Sequence, residues 1–171
     1  MEEEAMSQPW ASFLQAHAAL RDRIASACRA TADSAAMDDP SLHRELVELH
    51  GLLAHGMLRH MDVEDRVLYP ALARVEGQMS VDLLAIDHRS IAGLEREVAL
   101  AEAALSHGGL APEGRRRLVR TLHGLEMLVD LHMTKEEEIC LPALDRELEA
   151  AIRQDLEDSL DTVERAELLA E

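Results

Sequence analysis

The chain repeats itself, and the repeat restricts its fold more than any other feature. The segment from His60 to Leu72 aligns without gaps with the segment from His132 to Leu144 at a constant offset of 72, with 6 of 13 positions identical. Upstream, Leu-His-Gly-Leu at Leu49 to Leu52 recurs at Leu122 to Leu125, and His17 stands opposite His88 at an offset of 71. The fold must therefore be built from two copies of one unit related by an internal pseudo-twofold.

The unit is helical. Apolar residues recur three and four apart between breakers at Pro9, Asp38-Asp39-Pro40-Ser41, Gly77 with Ser80, His107-Gly108-Gly109 with Pro112, and Pro142. This spacing predicts one helix from about Trp10 to Asp33 and a second from Pro40 to about Tyr69 or Leu72. A third runs from Val81 to about Ser106 behind a Ser80 cap, and a fourth from Pro112 to about Leu141. Four helices of roughly 20 to 30 residues with short connections predict an all-α, up-down-up-down four-helix bundle made of two helix pairs. Residues 10–144 would form this bundle, 1–9 an N-terminal tail, and 145–171 a short charged C-terminal helix with a frayed end.

Length and composition agree with that outline. At 171 residues the chain has room for one ordinary domain. Three aromatic residues, Trp10, Phe13 and Tyr69, are too few for a β sandwich or barrel. With 17 Lys and Arg against 34 Asp and Glu, the net charge of −17 repels nucleic acid and anionic membrane surfaces. The one basic run, Arg115 to Arg117 with Arg120, is too short to reverse that balance and reads as a solvated face. No apolar run approaches the ~18 residues of a membrane span, and the start of the chain is acidic where a signal peptide is basic, so a cytoplasmic location is expected. Cys28 and Cys140 form neither a disulfide framework nor a zinc knuckle and read as core residues.

The chemistry lies in the repeat. Only His60 with Glu64 and His132 with Glu136 give H-x-x-x-E, which sets both side chains on one helix face. Each pair occupies the matching position of its repeat, and each neighbouring helix supplies one histidine, His17 or His88, on its apolar stripe. Two buried glutamates with no Lys or Arg on the same faces are costly to keep ionised. A pair of metal ions would supply the missing charge. Two histidines per ion and two bridging carboxylates give each ion four protein bonds; an oxo, hydroxo or water bridge makes five and leaves a sixth position open. Such mixed imidazole and carboxylate ligation suits iron best, then manganese or zinc, and is a poor match to closed structural zinc.

On these residues the chain resembles the hemerythrin-like, or HHE cation-binding, domains over about Trp10 to Leu144. The resemblance implies a four-helix bundle around a non-heme di-iron centre. Its ligands would be His17, His60 and Glu64 from one half and His88, His132 and Glu136 from the other, with Glu64 and Glu136 as bridges. Tyr69-Pro70 and Leu141-Pro142 after the two motifs strengthen it. The chain departs from the oxygen carriers of that family in having no H-x-x-x-H: Ala92 stands four after His88, and Leu84 four before it. The centre is in that respect more similar to the four-histidine, two-glutamate centres of iron-sulfur cluster repair proteins. Those carry a further N-terminal cysteine-containing domain, for which the stretch before His17 has no room. The Glu-x-x-His pairs of ferritin-like bundles are absent.

Of the other histidines, His55 and His123 fall well off the ligand face, His43 and His107 lie near helix ends, and His50 has at most a supporting role. Tyr69 and Cys140, close to the two glutamates in sequence, read first as packing residues and second as groups tuning redox or proton delivery. Three functions remain open. One is a di-iron binding module for O2, NO or iron, acting as sensor, buffer or store; one is an oxidoreductase reducing peroxide, O2 or NO. The third is a helical protein in which metal is structural or absent. The expected partner is a small diatomic ligand or peroxide, with no nucleic acid and no membrane; no protein partner can be named.

Overall fold

The computed structural model describes residues 10–36, 38–148 and 152–160, and the regular structure among them is entirely helical. Helix α1 is Ala11–Ser34. Helix α2 is continuous over residues 39–76, passing through Asp39–Leu52, a π turn at Leu53–Met57, Leu58–Val63, a second π turn at Glu64–Leu68, and Tyr69–Glu76. Helix α3 is Gln78–His107. Helix α4 covers residues 112–147, through Pro112–Lys135, a π turn at Glu136–Cys140, and Leu141–Glu147. A fifth helix, α5, covers residues 152–160. The expected tail at 1–9 and the end of the acidic segment, 161–171, lie outside the described residues.

The helix ends follow local chemistry. Asp38 caps α2, its Oδ1 accepting from Ser41 N at 2.8 Å, with Pro40 in the first turn where its missing N–H costs nothing. Between α2 and α3 a single residue, Gly77, makes the break at φ 86°, a conformation glycine adopts without strain. Helix α3 consequently starts at Gln78, ahead of the expected Val81, and Ser80 lies within its first turn, its N bonded to Gly77 O at 3.3 Å. Gly109 in the α3–α4 connection combines φ 100° with a close approach to Asp39, where a Cβ would meet Oδ2 at 2.6 Å.

Helix α1 packs on α2 and α4, α2 on α3, and α3 on α4, closing a ring of four. The basic run is absorbed into this scaffold: Arg115 reaches Asp39 and the Ala35 carbonyl, Arg116 and Arg120 pair with Glu113, and Arg117 pairs with Glu97. No helix among the described residues is long and apolar enough to cross a membrane.

Among the described residues the core has two apolar clusters. One gathers Ile24, Leu46, Leu53, Met57, Ile91, Leu125 and Met133; the other gathers Trp10, Phe13, Leu68, Leu72, Leu84, Leu144 and Leu160. Each fully buried aliphatic side chain contributes about 1.5–3 kcal/mol, offset against the entropy of ordering the chain. On every long helix a polar residue separates the two clusters: His17 between Phe13 and Ile24, His60 and Glu64 between Met57 and Leu68, His88 between Leu84 and Ile91, His132 and Glu136 between Val129 and Leu141. A layer of histidine and glutamate thus crosses the bundle where a sequence designed only for stability would place leucine. The C-terminal helix closes the end beyond it. Leu160 is buried in the second cluster, and Asp145 takes a hydrogen bond from Trp10 Nε1 at 2.9 Å and pairs with Arg153.

Candidate metal centre

All six residues singled out by the repeat are buried, with His17, Glu64, His132 and Glu136 at 0% exposure. They meet. His60 Nε2 lies 2.9 Å and His17 Nε2 3.3 Å from Glu64 Oε1. The other oxygen of the same carboxylate, Oε2, faces the second half of the repeat, 3.3 Å from His88 Nε2 and 3.9 Å from His132 Nε2. Glu136 Oε2 stands between the halves, 3.6 Å from His17 Nε2 and 3.5 Å from His132 Nε2. Within each half the two imidazoles are edge to face, at 4.8 Å for His17 with His60 and 4.7 Å for His88 with His132.

Two clusters with the spacing of a cation site result: His17, His60 and Glu64, and Glu64, His88, His132 and Glu136. They share Glu64. Among the described residues, neither Glu64 Oε2 nor Glu136 Oε2 accepts an aligned hydrogen bond, although each is fully enclosed. Buried carboxylate oxygens in that condition are rare and costly. His88 Nε2 and His132 Nε2 also approach to 3.1 Å, so two nitrogen lone pairs would oppose each other unless one nitrogen is protonated or a cation lies before them. Oxygen and imidazole nitrogen donors turned toward a common interior, with their charge unmet, fit divalent cations of the iron, manganese and zinc class.

The electrostatics show the same deficit. Burial works to raise Glu64, but the charge of His60 and the close imidazoles of His132, His17 and His60 outweigh it and hold the carboxyl well below the usual range. Burial and then the charge of Glu64 push Glu136 well above it. Adjacent carboxylates in a dry site cannot both ionise without added positive charge, so one takes the proton. Tyr69, raised by burial and by Glu136 and Glu64, keeps its own.

Sequence reading favoured a packing role for Tyr69, but its hydroxyl belongs to the site: Oη donates to Glu136 Oε1 at 2.8 Å and lies 2.9 Å from His88 Nε2. The backbone explains the difference. Tyr69 stands five after Glu64, about 140° away in an α-helix. In a π turn, however, the residue five along takes the place of the one four along. Tyr69 N bonds to Glu64 O in that wider register, and Leu141 N bonds to Glu136 O likewise. The signal in the sequence is the proline after each: Pro70 and Pro142 lack the N–H that would continue the α ladder, and an inserted residue relieves the clash with the preceding turn. Cys140, one residue before Leu141, is buried in the adjoining cluster, and burial followed by Glu136 and Glu64 pushes its thiol up to about 12.

A second layer of acids, which the sequence reading also missed, surrounds the imidazoles. Asp65 Oδ1 is 3.1 Å from His88 Nδ1 and Glu137 Oε1 is 3.0 Å from His17 Nδ1, with Arg21 on the same oxygen at 3.0 Å. Asp87 Oδ2 lies 3.6 Å from His132 Nδ1 and is paired with Lys135 at 2.7 Å. Three of the remaining histidines are engaged elsewhere: His50 lies between Glu95 at 3.1 Å and Glu102 at 2.6 Å, His43 Nε2 meets Ser106 Oγ at 3.0 Å, and His107 Nδ1 meets the Ala103 carbonyl at 2.7 Å.

Comparison with known proteins agrees with this geometry. The family model described as the hemerythrin HHE cation binding domain matches residues 8–144. No curated protein and no solved structure matches the chain.

Proposed function

This chain belongs to the hemerythrin HHE cation-binding domain family, and on that premise we propose that it is a non-heme di-iron protein that binds O2, NO or iron itself in a sensing, buffering or storing role. His17 and His60 would hold one ion and His88 and His132 the other, with Glu64 and Glu136 between them. One observation carries the reading: the two oxygens of Glu64 face different histidine pairs, at 2.9 Å from His60 and 3.3 Å from His88, in a layer whose six members include no Lys or Arg. Bound iron supplies Lewis acidity and an accessible redox couple. The chain's own contribution is a preset ligand geometry, exclusion of bulk water by the apolar clusters on either side, and a hydroxyl at Tyr69 that steadies Glu136.

That hydroxyl also favours a second reading, an oxidoreductase reducing peroxide, O2 or NO, because such reductions need an O–H donor near the reacting atoms and Tyr69 places one inside the site. The up-down-up-down order of the ring, the division into a bundle at 10–144 with a flanking tail and C-terminal helix, and a cytoplasmic location complete the proposal.

Purified protein is expected to carry about two iron ions per chain and to show near-ultraviolet charge-transfer absorption. The double substitution Glu64→Ala with Glu136→Ala abolishes both; full iron retention in that variant refutes the assignment. Counting equivalents of peroxide or NO consumed by the reduced protein separates the readings. Many equivalents per site mean turnover, and about one means binding.

A further inference from the structure

Asp65 and Glu137 directly follow Glu64 and Glu136 and are themselves equivalent, at the offset of 72. His17 and His88 are equivalent as well. The contacts between these four residues cross the repeat. Asp65, from the first half, is 3.1 Å from Nδ1 of the second half's His88; Glu137, from the second half, is 3.0 Å from Nδ1 of the first half's His17. The ring packing explains the exchange. With Glu64 turned inward, the next residue on α2 lies about 100° around the helix, toward α3, and the residue after Glu136 on α4 lies toward α1.

An imidazole that donates Nδ1–H to a carboxylate leaves Nε2 as its lone-pair nitrogen. In both histidines that nitrogen faces the interior of the layer, at 3.3 Å from Glu64 Oε1 for His17 and, for His88, at 3.3 Å from Glu64 Oε2 and 2.9 Å from Tyr69 Oη. As an ion pair the Asp65 contact adds little to the fold, since its side chain is 50% exposed. Its consequence is for the ring it holds. Asp87 beside His132 is not part of this exchange: at 3.6 Å it is beyond hydrogen-bond reach, and Ala16 stands at its repeat position.

Resting on the di-metal reading above, we propose that Asp65 and Glu137 are positioning residues exchanged between the halves of the repeat. Each fixes the tautomer and orientation of the other half's histidine, so that neither half of the centre is complete without the other. Outer carboxylates of this kind raise the basicity of the imidazole they hold.

The test is titration of metal-free full-length protein with Co2+ against a competing chelator, in wild type, Asp65→Asn, Glu137→Gln and the double variant. Asp62→Asn serves as control, because Asp62 is exposed and pairs with Arg66 on its own helix. Each single substitution is expected to weaken Co2+ binding about ten- to hundredfold and the double by the product, with the apo protein's circular dichroism and melting unchanged. Long-range proton–nitrogen spectra of the metal-free protein give the independent readout. Because a neutral amide oxygen is a weaker acceptor than a carboxylate, Asp65→Asn lowers the share of the Nδ1–H tautomer at His88 and leaves it unchanged at His17, while Glu137→Gln does the reverse. Variants that bind Co2+ like the wild type, or an Asp62→Asn that is weakened as much, overturn the proposal and leave the di-metal reading standing. A wild type that takes up no Co2+ brings both down.

Discussion

Tyr69 Oη donates to Glu136 Oε1 across 2.8 Å, from the first half of the repeat to the second. The position equivalent to Tyr69 is Leu141, so this contact has no counterpart and the centre is asymmetric despite its duplicated origin. One oxygen of Glu136 is occupied by the phenol, whereas both oxygens of Glu64 face imidazoles.

Replacing Tyr69 with Phe therefore removes one donor from an enclosed carboxyl group and little volume. A buried hydrogen bond to such a group contributes about 1–3 kcal/mol. Metal-free Tyr69→Phe should remain folded, unfold in urea at lower concentration with an unchanged slope, and lose stability in that range. An unaltered midpoint would mean that the hydroxyl is not held by Glu136 in solution.

The histidines and glutamates of the layer were legible in the sequence because duplication marks them: His60 with Glu64 and His132 with Glu136 differ in their neighbours but share spacing and register. Helix count and the breaks at Asp38, Gly77 and Gly108 were legible for a related reason, since caps and positive-φ positions depend on residues close in sequence. Tyr69 was not, because ideal α geometry turns it away from Glu64 and the π turn that returns it is a backbone choice with only Pro70 as its trace. Asp65 and Glu137 were hidden for another reason. An acid on a helix is most often solvated, and their histidine partners are 23 and 120 residues distant. The C-terminal helix falls between these cases: its charge was apparent, whereas the burial of Leu160 against the Trp10 cluster depends on tertiary packing alone.

The Glu64 and Glu136 pair gives the metal-free protein a defined pH response. Glu136 is raised, so its contribution is fully present below its unfolded value, about 4.3, and is lost as pH rises through the folded one. Glu64 is lowered, so its contribution is present above the unfolded value and lost only as pH falls into the acid range. Of these two contributions it is that of Glu136 that changes between about pH 5 and 8. Melting of the apo protein followed across that interval should show stability declining toward higher pH, and Glu136→Gln should flatten the decline. An identical slope in the variant would remove Glu136 as its source.

Both thiols should be inert in the native state. Burial first, then the charge of Glu126, pushes Cys28 up to about 12; burial, then Glu136 and Glu64, does the same for Cys140. A thiol reacts through its thiolate, which is scarce at neutral pH under these conditions. A disulfide reagent applied to native protein at pH 8 is expected to modify neither cysteine within minutes, and both of the 2 present after denaturation. Rapid native labelling at Cys140 would show that the end of the bundle next to the centre opens to solvent.

The single Trp reports on that same end. Trp10 is 3% exposed, its indole nitrogen donates to Asp145, and Leu160 at 2% exposure shares its cluster. Leu160→Ala removes a buried side chain from α5 without touching any imidazole or glutamate of the layer. Substitutions of this kind cost about 2–5 kcal/mol when the surroundings cannot collapse. If α5 is held by this contact in solution, the variant's Trp10 emission should shift to longer wavelength as water reaches the indole, while metal stoichiometry stays at the wild-type value. Unshifted emission with full stability would mean that α5 is not seated there, and loss of metal would mean that the end cluster supports the His17 side of the centre through Phe13, whose ring lies 4.2 Å from the His17 imidazole.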